Sequence, residues 1–327
     1  MIMTEKILFT DTHFGTRQNS MTWLKSQLDF IDKNLIPKIQ KRKQDGNRVK
    51  LIHCGDVFDS RSAISPLVAK KVREKFIELA QLVDEFIIVA GNHDFYSPNS
   101  DEIDTLSMVF RDCGIRLIIQ EMYQDGEDLF IPWYVYKDEE VVFKYLDEHP
   151  EVKYIYTHAD IFHEDYRNYG DRNVSVFSGH IHQPRLDYNR HWYNLGSCYS
   201  LDFADRNAIR HFYMLSGDQL QEFDNMVGIR FWRLYNEDIF NEDADFLYKD
   251  GDYFELYIEQ INMQSPRYVE RISELSAKYK NLYIIPQVKA EVSESEELKS
   301  YDIVEVCRSM IPDHLKDKFR MIEDNLS

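Results

Sequence analysis

Five short apolar runs in the first two-thirds of this chain each lead into a residue able to hold a cation or move a proton. Lys6-Ile7-Leu8-Phe9-Thr10 ends at Asp11, and Val49-Lys50-Leu51-Ile52-His53 runs to Gly55-Asp56. Glu85 to Ala90 ends at Gly91-Asn92-His93-Asp94, Tyr154-Ile155-Tyr156-Thr157 at His158, and Val174-Ser175-Val176-Phe177-Ser178 at Gly179-His180-Ile181-His182. Short apolar runs of this kind read as buried strands. Between them lie amphipathic stretches. Leu24, Leu28, Ile31, Leu35 and Ile39 space a helix from about Met21 to Lys43, and Pro66 to Leu82 reads as another, with Pro66 in its first turn. Strands alternating with helices make a layered α/β protein, and in such sheets ligands gather beyond the carboxyl ends of the strands. The stretch from His191 to Phe223 reads as several strands without helices between them, so the sheet is expected to be mixed.

The donors form an ordered set. Asp11 and His13, two apart in a loop, can turn toward one ion. Asp56 offers two carboxylate oxygens and is the natural bridge between two cations about 3.5–4 Å apart. Asn92 contributes a neutral amide oxygen to the second cation, joined by His158 and His180, while His182 returns to the first. Carboxylate, amide and imidazole donors without a thiolate favour manganese, iron or zinc over calcium or magnesium. This is equipment for breaking phosphoester bonds, with a metal-bound hydroxide as the expected nucleophile. His93, beside Asn92, is expected to face the scissile phosphate as a catalytic group that stabilises charge and helps protonate the leaving oxygen. Asp59 is expected to accept a hydrogen bond from His93 and fix its tautomer.

Each residue has a plainer reading. Asp56 after Gly55 suits a turn, Asn92 a helix cap, and His180 and His182 one face of an edge strand. The order of the set, with every member at a strand end, outweighs those readings. His53, inside an apolar run, is expected to be a hydrogen-bonded core histidine. His149, His163, His191, His211 and His314 fit no ligand spacing. Tyr96, Trp133 and Tyr134 are aromatic candidates for stacking on bases.

At 327 residues the chain can bury a large core. Its net charge of −18 argues against a general basic clamp for nucleic acid, though bound dications offset local negative charge. Cys54, Cys113, Cys198 and Cys307 show no paired spacing and are expected to be free thiols in a reducing compartment. No signal-peptide layout and no membrane span are expected, which points to a cytoplasmic protein.

The strings Asp11-Thr12-His13, Gly55-Asp56-Val57-Phe58-Asp59, Gly91-Asn92-His93-Asp94, Thr157-His158 and Gly179-His180-Ile181-His182 resemble the calcineurin-like metallophosphoesterases. Gly55 to Arg61 followed by a helix, Ile131-Pro132-Trp133 and Leu195-Gly196-Ser197 resemble the SbcD-type DNA repair nucleases and their phage recombination-endonuclease relatives. Two departures stand out: Thr157 where many relatives have glycine, and Asp59 where the eukaryotic and archaeal branch has histidine, the latter pointing to a bacterial or phage affiliation.

The resemblance implies a mixed-sheet metallophosphoesterase fold with a small C-terminal α/β domain. It also implies manganese-dependent DNA exonuclease and endonuclease activity in a bacterial or phage-infected cell, homodimerisation, and a coiled-coil ABC ATPase partner of the SbcC type. Residues 1–225 would then be the nuclease domain and 226–290 a DNA-capping domain. Residues 291–327 would be an acidic linker and an amphipathic helical segment docking on the ATPase. Three competing readings are weighed beside it. A small-molecule, cyclic-nucleotide-type phosphodiesterase shares every metal string but leaves the C-terminal residues unexplained. A Ser/Thr phosphatase typically has Glu where this chain has Asp94. A metal-stabilised scaffold would have no use for His93.

Overall fold

The computed structural model describes residues 4–163, 172–241, 248–249 and 251–287. The described residues form seventeen strands, β1 to β17 in chain order. The first sheet has the order β14-β13-β1-β2-β3-β6, from β1 (Thr4–Phe9), β2 (Arg48–His53), β3 (Glu85–Val89), β6 (Arg116–Ile118), β13 (Arg210–Ser216) and β14 (Gln219–Asn225). It is parallel from β1 through β6 and antiparallel where β13 joins β1 and β14. The second sheet has the order β11-β12-β10-β9-β8-β7, from β7 (Tyr123–Asp125), β8 (Asp128–Ile131), β9 (Tyr154–Thr157), β10 (Ser175–Ser178), β11 (Arg185–Asp187) and β12 (Trp192–Asn194). Both sheets are mixed, as expected.

Strand alternation builds the layers. Ile7, Phe9, Leu51, Phe86 and Ile88 point out of the first sheet into a core shared with the helices Met21–Phe30, Ile36–Gln44 and Pro66–Leu82. Leu8, Ile52, Ile87 and Val89, one residue out of step, meet Phe130, Tyr156, Phe177 and Tyr193 of the second sheet. The far face of that sheet is covered by Val142 and Leu146 of the helix Glu139–Glu148. Two sheets packed face to face, each backed by helices, put two sets of strand ends along one edge.

Charge also joins the sheets. Lys6 and Lys50 are paired neighbours on β1 and β2, and both reach Asp128 on β8, at 2.5 Å and 3.1 Å. Lys50 also meets Asp125 at 2.6 Å, and Lys6 lies 4.0 Å over the Tyr154 ring.

The helix expected over Met21–Lys43 is interrupted by a π-turn at Ile31–Leu35. Pro37 follows it and lacks the N–H that an unbroken helix would direct at the carbonyl of Lys33; the wider turn absorbs that gap. Helix Pro66–Leu82 starts as expected, with the Ser65 hydroxyl accepting from Val68 N–H at 3.2 Å. A hairpin of β4 (Phe95–Ser97) and β5 (Ser100–Asp104) follows the third donor loop.

Beyond β14, β15 (Phe231–Tyr235), β16 (Tyr253–Glu259) and β17 (Asn281–Gln287) form a third sheet backed by the helix Pro266–Lys278. The strand at β15 was not among the sequence expectations. Cys54, Cys113 and Cys198 are free and buried. No helix among the described residues is long and apolar enough to cross a membrane. The acidic stretch Glu291–Glu297, the segment Tyr301–Ile322 and Cys307 lie outside the described residues.

Candidate metal centre

The first two donor loops are zipped together beyond their strands. Asp11 N–H donates to the Gly55 carbonyl, His13 N–H to that of Asp56 and Phe14 N–H to that of Val57, at 2.8–3.1 Å. Thr10 Oγ1 donates to the Asp11 carboxylate and the Cys54 carbonyl, both at 2.9 Å. Gln27 reaches in from its helix to hold the carbonyls of Thr12 and His13. These bonds hold Asp11, His13 and Asp56 at φ of 52°, 40° and 58°; His180 lies at 77°. Non-glycine residues rarely adopt such backbone, and each costs on the order of 1–2 kcal/mol.

Two glycines are there because nothing larger fits. A Cβ on Gly55, itself at φ +94°, would overlap the His158 ring, and one on Gly91 would overlap the Asp56 carboxylate.

The seven expected ligands converge. His13 Nε2 stands 3.8 Å from Asp11 Oδ1, 3.7 Å from Asp56 Oδ2 and 3.1 Å from His182 Nε2. His158 Nε2 stands 3.2 Å from Asp56 Oδ2 and 3.2 Å from Asn92 Oδ1, which lies 2.9 Å from His180 Nδ1. Asp56 thus belongs to both groups. Separations of 3–4 Å between donor atoms suit ligands around a cation bound at about 2.0–2.2 Å. The donor chemistry fits as well. Asp11, His13, Asp56 and His158 are nearly or wholly buried, and burying carboxylates without a counter-charge is costly.

Charge within the cluster is shared between its carboxylates and imidazoles. Burial alone would raise Asp56 and Asp11, but the imidazoles of His158 and His13 outweigh it and keep both carboxyls ionised. In return, and against the effect of burial, Asp56 and Asp11 raise His158 to about 9, and the surrounding carboxylates raise His13. Burial and the neighbouring His158 lower His180 to about 4, and burial lowers His182 too, leaving these imidazoles free to donate lone pairs.

His93 is half-buried at the same cleft, its ring 5.0 Å from that of His13 and its N–H bonded to Asp56 Oδ1 at 2.8 Å. One expectation changes here. The partner of His93 Nδ1 is the backbone carbonyl of Asp59, at 2.6 Å, and not its side chain. The Asp59 carboxylate turns instead toward His13 Nδ1, 3.6 Å away. A carbonyl can only accept, so Nδ1 carries the proton and the tautomer is fixed by main chain.

Three residues beyond the expected set shape the site. Asp94, fully buried, accepts from the N–H groups of Gly91, Asp56 and Val57 at 2.9–3.0 Å, tying the second donor loop to the third. Burial and the Asp56 charge push it up to about 7, against the pull of the Gly91 and Val57 N–H groups and of His158. Behind His182, the buried Arg210 donates to the His182 carbonyl at 2.5 Å and pairs with Asp205 at 2.6 Å. Trp133 lies with its ring 4.9 Å from that of His180. Asp94 stood in a conspicuous string, but nothing in sequence shows that a carboxylate will face three amides. His53, as expected, is a core histidine bonded to Thr12 Oγ1 at 2.9 Å, and burial lowers it to about 3.

The profile of the calcineurin-like phosphoesterase family matches residues 7–221. No curated protein matches the chain. Among solved structures it is similar to a Staphylococcus aureus protein assigned as a 5'-nucleotidase, in complex with alpha-ketoglutarate, at 12% identity and a TM-score of 0.38. That match covers 68% of this chain and 53% of the other, so the chain spans about half the length of that relative. It is also similar to a conserved Streptococcus pneumoniae protein assigned to the phosphoesterases, at 13% identity and a TM-score of 0.28, covering 69% of this chain and 99% of the other.

Proposed function

The chain belongs to the calcineurin-like phosphoesterases, a family of metal-dependent hydrolases, and from that premise we propose that it is a two-metal phosphodiesterase that cuts DNA, as the nuclease subunit of an SbcCD-like repair or recombination complex. The observation that carries the hydrolytic reading is the sharing of Asp56 between two donor groups with His93 beside them. Asp11, His13, His182 and Asp56 would hold one cation, and Asp56, Asn92, His158 and His180 the other, with manganese the expected metal. When bound, the pair supplies Lewis acidity to a phosphoryl oxygen and lowers the pKa of water.

The protein's own part is positional. His93 keeps its Nδ1 proton on the Asp59 carbonyl, which leaves Nε2 to carry a proton to the oxygen that departs. Asp94 keeps the Asp56 loop from shifting, and Arg210 does the same for His182. A polymeric substrate is supported by the third sheet, joined to the phosphoesterase body through Trp23 stacked at 5.9 Å on Phe231. We assign that sheet the capping role, and the homodimer and the ATPase partner belong to the same reading.

The test is digestion of end-labelled linear DNA by purified protein with manganese. Wild type degrades the DNA, while His93→Ala loses about 100-fold or more with metal content intact. Turnover of a small phosphodiester with no cleavage of DNA, alone or with the ATPase, would refute the nuclease assignment in favour of a small-molecule enzyme.

A further inference from the structure

The rim of the metal cleft carries a cation that the catalytic scheme does not use. Lys137 follows the one-turn helix Trp133–Tyr136, which is anchored by the Trp133 N–H to the Ala90 carbonyl at 3.0 Å, at the end of β3. The Lys137 ammonium sits 4.8 Å over the Trp133 ring and 5.0 Å over the Tyr134 ring. Both platforms are fixed. Tyr134 packs edge-on against Phe95 at 4.7 Å and donates its hydroxyl to the Ser97 carbonyl at 2.8 Å. Trp133 lies against His180 at 4.9 Å and His158 at 6.1 Å. A lysine held between two anchored rings keeps its charge in one place, unlike the freely rotating head of an ordinary surface lysine.

The surroundings of this ammonium make it a recognition element. Lys137 is exposed and forms no ion pair among the described residues, and the adjacent Asp138 has turned its carboxylate to the Val141 N–H. The Trp133 indole N–H also has no hydrogen-bond partner among the described residues. The carboxylates of the cleft act on its imidazoles: Asp11, Asp56 and Asp59 on His13, and Asp11, Asp56 and Asp160 on His180. A fixed positive charge one aromatic ring away from a second-metal ligand matches the next negative charge along a phosphodiester chain. A small phosphodiester has no such second charge.

We propose that Lys137, held over Trp133 and Tyr134, binds the phosphate neighbouring the scissile one in a single polynucleotide strand, and so sets the preference of this site for polymers over small diesters. This inference rests on the nuclease reading above. It makes Lys137 a substrate-binding group, with Trp133 and Tyr134 positioning it.

The experiment compares wild type, Lys137→Ala and Lys137→Arg on two substrates with manganese: a short single-stranded oligonucleotide and bis(p-nitrophenyl) phosphate. Binding of the same oligonucleotide with a phosphorothioate backbone, read by fluorescence anisotropy over a salt series, gives a measure independent of turnover. Lys137→Ala is expected to raise KM and Kd for the oligonucleotide about fivefold, with kcat within twofold, and to reduce the salt slope by about one. Lys137→Arg, which keeps the charge, recovers most of that loss, and the small diester shows no comparable change in KM. Equal losses on both substrates would make the lysine merely structural, and unaltered KM, Kd and salt slope would overturn the proposal while leaving the nuclease reading standing. Wild type that turns over the small diester but neither binds nor cuts the oligonucleotide would refute the nuclease reading itself and remove this ligand with it.

Discussion

Replacing Asp128 with alanine should cost the fold a measurable part of its stability by stranding a lysine between the two sheets. Asp128 is nearly buried and stands between Lys6 and Lys50 on neighbouring strands of the opposite sheet. The two lysines are not equally dependent on it. Lys50 keeps Asp125 at 2.6 Å and Glu85 at 3.4 Å, whereas Asp128 is the only ion-pair partner of Lys6 among the described residues. The change therefore strands one charge, that of Lys6, whose side chain is only 13% exposed. Removing one partner of a buried pair typically costs about 3–5 kcal/mol, and the Tyr154 ring and partial solvent access put this case near the lower figure, about 3 kcal/mol. At about 2.1 cal/mol/K of unfolding entropy per residue, a chain of 327 residues shifts by about 1.5 °C per kcal/mol, so Tm should fall by about 4–5 °C.

The pH dependence has a defined sign. Burial lowers Lys6 below its usual value of 10.5, even though Asp128 pulls the other way. A folded chain that gives up this proton earlier than the unfolded chain gains stability as pH rises through the interval between the two pKa values. Without Asp128 the Lys6 pKa drops further, so the deficit of Asp128→Ala should shrink between pH 7 and pH 10. Thermal unfolding followed by circular dichroism at those two pH values is the assay, with Lys6→Met/Asp128→Ala as the second variant. Met keeps the length of the stem without the charge, and the double variant should regain about 2 kcal/mol. A fall in Tm below 2 °C for Asp128→Ala, or a double variant no better than the single, would refute the reasoning.

Three further outcomes concern the centre itself. Asp56→Asn should lose bound metal at both positions, because its carboxylate belongs to both donor groups; elemental analysis showing full manganese content would contradict that. Asp94→Asn turns an amide NH2 toward a backbone N–H that now has an acceptor, and should weaken metal binding about 10- to 100-fold by calorimetry, so wild-type affinity would show that the Asp56 loop holds without it. Manganese at about 100 times its Kd should stabilise the wild-type chain by about 2.7 kcal/mol for each site filled, reversed by chelator and missing in Asp56→Asn; an equal rise of Tm in that variant would place the ion elsewhere.

What could be read from sequence was the order of the strands and the donors they deliver. Asp11, Asp56, Asn92, His158 and His180 each follow an apolar run, so period and composition fix both the strand and its end. Reading was weakest where the deciding partner is main chain or far away. Any residue at position 59 presents a carbonyl, so the bond that orients His93 leaves no trace in side-chain identity. The pairing of Lys6 with Asp128 spans 122 positions, and charged residues inside short strands read as solvent-facing. The π-turn escaped because Phe30, Ile31, Leu35, Ile36 and Ile39 are apolar at spacings that fit an unbroken helix nearly as well. Strand β15 was hidden by Arg233, whose charge breaks the apolar run yet is satisfied by Glu255 one strand over, at 2.5 Å.

The left-handed backbone at Asp11, His13, Asp56 and His180 bears on which substitutions such a centre tolerates. Asp11, His13 and Asp56 are kept at unfavourable torsions by bonds between two loops, so a substitution that breaks one of those bonds lets the donors relax away from one another even though no donor has changed.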